Sequence, residues 1–262
     1  MNRLRSTSGD LLNIFEHDIT AEHVAERLVS CQADVSCDDA LRVMRERDFD
    51  VLGVREEGLV CGYVRREELG TGKCRNYKRA FQAPELISES TPMVELLQKL
   101  GGVSRVFVLY GTRVDGIVTR GDLQKAPVRM FMFGLITLLE MNFLRIIRFY
   151  CRNGSWQKIL THSRLQKAQK LFGQRKERNE GIDLVDCLEL CDERRIVLSI
   201  EEVVDAIHME PKTINKFLES VEELRDRLAH SQDLVQGLSW PKVINLVAGI
   251  RDLLQKLEQV AT

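Results

Sequence analysis

Two short stretches of this 262-residue chain hold side chains whose types and spacing suit chemistry. One is Arg225-Asp226-Arg227-Leu228-Ala229-His230. Histidine titrates near neutrality and can both take and give a proton. Arginine keeps its charge and forks to phosphate oxygens. The other is Gly116-Ile117-Val118-Thr119-Arg120-Gly121-Asp122. A carboxylate accepts two hydrogen bonds from a diol, and a hydroxyl and a guanidinium both suit phosphate. His17, His23, His162 and His208 have no partners at ligand or triad spacing. The seven cysteines form no Cys-x-x-Cys, and the Cys187/Cys191 pair reads as packing. No metal site is therefore expected.

Each stretch needs an element to hold it. Ile214, Phe217, Leu218, Val221, Leu224 and Leu228 recur at helical spacing, so Arg225 to His230 ends an amphipathic helix. On a straight helix, five residues at about 100° each put Arg225 and His230 roughly 140° apart. Asp226 and His230, four apart, share a face. A composite site built from two copies would bring the arginine and the histidine together.

The Thr119–Asp122 stretch lies in an internal repeat. With a shift of 54 positions, Val51-Leu52-Gly53-Val54 falls over Arg105-Val106-Phe107-Val108, Gly62 over Gly116, and Val64 over Val118. Each unit reads as a short helix, a strand, a turn and a second strand, with turn signals at Glu57-Gly58 and Gly111. The first copy reads Gly62-Tyr63-Val64-Arg65-Arg66-Glu67-Glu68, with Arg65 in the threonine position and Glu68 in the aspartate position.

These residues resemble the CBS domain, a β-β-α unit with a G-h-h-T-x-x-D signature; two in tandem resemble a Bateman module over residues 18–128. The resemblance implies an adenine nucleotide (AMP, ADP or ATP) as regulatory ligand, bound by Thr119 and Asp122 beside Gly116, with Arg120 adding charge. The altered first copy leaves one competent site. The motif at Arg225 resembles the HEPN superfamily of helical bundles, whose nuclease members share an Arg-x4–6-His pattern. That resemblance implies His230 as general acid/base, Arg225 as charge stabiliser and Asp226 as orienting group. It also implies a homodimer that cleaves single-stranded RNA without metal or catalytic cofactor.

Pro127 opens an apolar stretch to Tyr150, read as a packed connector helix over 129–152 that helps pair two protomers. Its longest uncharged run, Met130 to Leu139, is shorter than a membrane span, so no membrane partner is expected. Residues 153–262 show only helical periodicity, with predicted helices over 155–179 and 183–195 and a capping box at Ser199-Ile200-Glu201-Glu202. Arg152 to Arg178 holds eight basic residues and one acidic, a candidate RNA-backbone surface. The fold class is α+β: a tandem β-β-α pair followed by an all-α bundle. A net charge of −1 gives no whole-molecule case for nucleic-acid binding. Unpaired cysteine spacing and an N-terminus without an apolar leader predict a cytoplasmic protein. The two modules read together as a nucleotide-regulated, metal-independent endoribonuclease with a role in defence. The alternative is a non-catalytic regulatory protein whose helical bundle binds a partner.

Overall fold

The computed structural model describes residues 14–230 and 232–260; the N-terminal stretch read above for a leader, residues 1–13, lies outside them. The backbone divides into two compact units, Glu16–Val128 and a second built on Arg129–Thr262. The first mixes strands and helices, and the second is helical among the described residues.

Two hairpins carry the first unit. Strands β1 (Glu26–Arg27) and β2 (Ser30–Gln32) come first, followed by helix α1 (Cys37–Glu46). Hairpin β3 (Val51–Glu56) and β4 (Leu59–Arg65) completes the first copy. Strand β5 (Leu86–Ser88), helix α2 (Met93–Gly102) and hairpin β6 (Arg105–Tyr110) with β7 (Arg113–Thr119) form the second. The sheets have the orders β2-β3-β4 and β1-β7-β6-β5. The repeat extends to the register. Val51 faces Arg65 in one hairpin and Arg105 faces Thr119 in the other. The register shifts at Val54/Arg55 and again at Val108/Leu109. Each turn uses a left-handed glycine, Gly58 or Gly111.

Strand burial follows from this doubling. Val51, Leu52, Gly53 and Val54 are buried in succession, as are Val106, Phe107 and Val108, because both faces of each strand are covered. One core lies beneath α1, with Ala40 and Met44 against Leu52, Val54 and Val64. A second joins the hairpins through Val51, Tyr63, Phe107 and Val114. There the Tyr63 and Phe107 rings sit 4.7 Å apart, and Phe81 packs 4.7 Å from Phe107. Helix α1 begins where the Ser36 hydroxyl accepts from the Asp39 N–H at 3.1 Å.

Helix α3 (Ala126–Tyr150) opens with Pro127 in its first turn. By length and composition it is long and apolar enough to cross a membrane, whereas the sequence reading rested on the shorter uncharged run and expected none. Of its 18-residue apolar window, 61% is buried inside the molecule. Phe131, Leu135, Leu139, Phe143 and Ile147 form its covered face. After it along the chain come α4 (His162–Glu177), α5 (Leu190–Val197), α6 (Glu201–Ile207), α7 (Pro211–Ala229) and α8 (Trp240–Glu258).

Three local expectations are corrected. The helix predicted over 155–179 is a short turn, Ser155–Lys158, followed by α4, and Leu171 on its predicted apolar face is 40% exposed. The helix predicted over 183–195 breaks at Leu188, where the backbone extends before α5. Ser199 forms no capping box; its hydroxyl instead donates to the Ile196 carbonyl at 2.6 Å, closing the end of α5.

Phe107 is fully buried at the seam of the hairpins. Phe107→Ala should cost about 3–5 kcal/mol of the first unit's stability. Urea unfolding followed by circular dichroism measures this, and a loss below about 1 kcal/mol would place the seam elsewhere.

Candidate functional site

A cleft of about 670 Å³ opens at the ends of the hairpins in the first unit. Leu28, Val29, Phe49, Val51 and Ile117 give it apolar walls, and Thr119, Gly121 and Asp122 line its polar end. The second repeat places this end. β7 finishes at Thr119, and a short turn, Arg120–Gln124, follows at once. The turn closes on itself. The Thr119 backbone N–H and side-chain hydroxyl both donate to Asp122 Oδ2, at 2.7 and 2.9 Å. Lys125 donates to the other oxygen, Asp122 Oδ1, at 2.8 Å. It also reaches Glu26 and the Val24 carbonyl. Burial works against the Lys125 ammonium, but its hydrogen bonds to Asp122 and Glu26 outweigh it and hold the pKa above the ordinary lysine value.

Thr119 and Asp122 thus stand together at the cleft, and a carboxylate with two acceptor oxygens keeps lone pairs for a ligand diol. Arg120 lines the same cleft, but its guanidinium donates to the carbonyls of Leu100 and Gly101 at 2.8 and 3.1 Å. It closes the C-terminal end of α2, where orphan carbonyls attract a cation. Gly116 is not part of the lining. A Cβ there would lie 2.9 Å from Val108 Cβ, so this glycine serves the close approach of the paired strands. Sequence reasoning missed Arg105, which lines the cleft from the start of β6; the 54-residue shift already aligned it with Val51.

The first copy spends its charges internally. Arg65 meets Glu68 at 3.1 Å and Glu67 at 2.7 Å. Arg79 grips Glu68 with two bonds, at 2.6 and 2.5 Å. Those bonds hold the Glu68 pKa below the ordinary glutamate value. The adjoining hollow, lined by Tyr63, Arg65, Arg79 and Glu85, is only about 290 Å³.

In the helical unit the predicted set is only partly gathered. Arg225 turns to Glu140 on α3, with Nε 3.6 Å from Oε1, and to Asp226 at 3.2 Å. His230 follows the end of α7, and its backbone N–H donates to the Asp226 carbonyl at 3.0 Å. Its ring is exposed and makes no hydrogen bond or ion pair among the described residues. Arg129 fixes this helix end through the carbonyls of Arg227, Leu228 and Gln232.

Behind Arg225 lies a buried carboxylate that the sequence did not reveal. Glu193 on α5 is 4% exposed, and its Oε2 has no hydrogen-bond partner among the described residues. Burial first, then the charges of Glu140 and Asp192, push its pKa up to about 8. Burial raises Glu140 as well, with Arg225 pulling the other way.

The basic stretch from Arg152 to Arg178 is largely paired. Arg164 binds Asp192 and Glu189, Lys167 binds Glu189, and Arg175 binds Glu180. Arg152 and Lys176 lie over the rings of Phe149 and Phe172. Cys191 takes a contact from Arg164 at 2.8 Å, and Cys187 is buried. Among the described residues, no three His, Cys, Asp or Glu side chains are grouped to hold a metal ion.

Residues 82–129 match the family model of the CBS domain, which places a CBS domain on the second repeat. A curated zinc metalloprotease of Methanocaldococcus jannaschii is 28% identical over 95 residues, covering 36% of this chain. The chain spans 27% of that relative's length. Among solved structures, CBSX2 in complex with AMP is 19% identical, covering 42% of this chain and 97% of that one, with a TM-score of 0.38. A conserved protein from Pyrococcus horikoshii is 19% identical, covering 40% and 88%, with a TM-score of 0.36. A CBS domain protein from Thermoplasma acidophilum is 18% identical, covering 45% and 76%, with a TM-score of 0.35.

The folded state keeps a proton on Glu193 that the unfolded chain releases above the ordinary glutamate range. That stabilisation is complete below the ordinary value and is lost as pH rises toward 8. Within this window stability should fall by up to about 1.4 kcal/mol per pH unit. Glu193→Gln should flatten the slope, raising Tm at pH 8 more than at pH 4.5. Thermal melts across that range test it, and parallel curves for the two proteins would clear Glu193 of the effect.

Proposed function

We propose that this chain is an adenine-nucleotide-responsive regulatory protein. The first unit binds the nucleotide and the helical unit carries the output. The observation that supports this best is the cleft that joins apolar walls, largely from the first repeat, to Thr119 and Asp122, which lie within the residues matched to the CBS domain. The base lies between the walls, the ribose diol meets Asp122, and the phosphate lies on the side of Thr119. The altered first copy takes no second ligand, because Glu68 is already gripped by Arg65 and Arg79.

Chain continuity suggests how binding acts. Lys125 holds Asp122, and α3 begins at the next residue, Ala126. A ribose that bonds Asp122 competes with Lys125 and so biases the first turn of α3. A ligand shifts such an equilibrium only by its differential affinity for the two arrangements.

The second reading is that the output is RNA cleavage by a homodimer. It is favoured by the exposed, unpartnered ring of His230 one turn beyond the exposed Asp226. In that reading His230 removes the 2′-hydroxyl proton as the oxygen attacks phosphorus. The phosphorus–5′-oxygen bond breaks, and the leaving oxygen takes a proton from the imidazolium of a second copy. Arg225 balances the phosphorane charge only after release from Glu140.

Calorimetric titration with AMP should give one site per chain, and Asp122→Ala should weaken binding at least tenfold. A stoichiometry of two, or unchanged affinity in the variant, would remove the one-cleft assignment. Labelled single-stranded RNA in EDTA separates the two outputs. Cleavage lost in His230→Ala supports the nuclease, and identical traces for both proteins leave the regulatory reading alone.

A further inference from the structure

Helix α3 carries a second apolar face that its own unit does not cover. Met130 is 64% exposed, Phe133 43% and Met141 39%, and Thr137 and Leu144 on the same side are half-buried. At about 100° per residue these five fall within an arc of roughly 80° and run about 21 Å along the helix. The arc lies opposite the covered face of Phe131, Leu135, Leu139 and Phe143. A Cβ on Gly134 would collide with the Phe15 ring, which therefore closes one edge of the stripe. The charges of α3 stand beside or beyond the stripe and are held by the helical unit. Arg129 donates to carbonyls at the end of α7, Glu140 faces Arg225, Arg145 donates to the Leu257 carbonyl, and Arg148 pairs with Asp186.

The stripe is symmetric about Thr137. Phe133 and Met141 lie four residues to either side of it, and Met130 and Leu144 lie seven. Two such helices crossing antiparallel at Thr137 set Phe133 against Met141 of the second copy, and Met130 against Leu144. A small residue at the crossing lets the backbones approach, and the large side chains on both sides fill the grooves. A thioether on a phenyl ring adds a favourable contact. Such a surface meets itself across a two-fold axis, as a closed dimer requires. The Thr137 hydroxyl already donates to the Phe133 carbonyl at 3.0 Å, so the contact buries no free hydroxyl. A parallel pair would instead bring Arg148 against Arg148 at one end, at a Coulomb cost that the antiparallel pair avoids. Taking about 200 Å² for a large side chain, the stripe with Arg148 exposes roughly 500 Å² per copy, so a pair buries about 1,000 Å², the floor for a specific interface. A reversible dimer is the expected outcome. A lipid surface fits less well, because a helix lying on a membrane sends free cations to the headgroups, and those of α3 are held inward.

We infer that the exposed stripe of α3 is the contact surface for a second copy of this chain, with the two helices antiparallel and crossing at Thr137. The inference needs neither nucleotide nor RNA, so it stands or falls apart from both readings of function. Sedimentation equilibrium of the full chain, with neither present, should show a reversible monomer–dimer equilibrium. Phe133→Glu and Met130→Glu should each weaken the dimer at least tenfold, and circular dichroism should show the fold kept, since both side chains are exposed. Leu171→Glu, at an exposed leucine on α4, should leave the dimer as it is. Mixed Met130→Cys and Leu144→Cys chains, oxidised and mapped by peptide mass spectrometry, should join position 130 to position 144. A link between two copies of position 130 in its place overturns the antiparallel crossing. A monomer at every concentration, or a dimer untouched by Phe133→Glu, overturns the inference. So does a monomer that binds phosphatidylcholine–phosphatidylglycerol vesicles and loses them in Phe133→Glu, which would assign the stripe to lipid.

Discussion

The first unit depends on the seam where its two hairpins bury Val51 and Tyr63 against Phe107 and Val114. Neither hairpin covers both faces of its own inner strand. Each supplies what the other lacks, so the doubled sequence is a packing requirement as much as a repetition. The cleft lies along this seam, and Val51 belongs both to the core and to the cleft wall. A rigid apolar wall and a ligand surface are here the same residues, which fixes the position of the polar turn at Thr119.

Charge pairing decides what remains available on that frame. The first copy is rich in arginine, yet Arg65, Arg66 and Arg79 are all held by carboxylates. Exposed pairs of this kind contribute little to stability. Their consequence is local, because they tie these three guanidiniums to carboxylates of the first copy, whereas Arg27 and Arg105 line the cleft without such a pair among the described residues. The same logic applies in part to the basic stretch after Arg152, where Glu189, Asp192 and Glu180 hold Arg164, Lys167 and Arg175.

The helical unit presents a different constraint. Glu193 is buried and Glu140 half-buried, and Arg225 acts on both while Arg148 also acts on Glu193. Removing a carboxylate from water costs free energy that these guanidiniums offset only in part, so Glu193 keeps its proton. Arg225 is therefore tied to the interior charge of the bundle. Any surface role for it competes with Glu140.

What the sequence determined by itself was the pattern that local physics can read. The 54-residue shift and the turn glycines marked both hairpins, while the matching register shifts emerged only in the fold. Helical spacing likewise marked α7, because an amphipathic stripe is a property of neighbours along the chain. Tertiary structure alone decided where charges go. No spacing rule links Arg120 to Leu100, Arg225 to Glu140, or Arg164 to Asp192, since each pair is brought together by folding. The break at Leu188 and the lost capping box at Ser199 have the same origin: packing of successive short helices overrode local preference. Arg105 stayed hidden for that reason, because lining a cleft is a property of the folded hairpins and not of a place at the start of a strand.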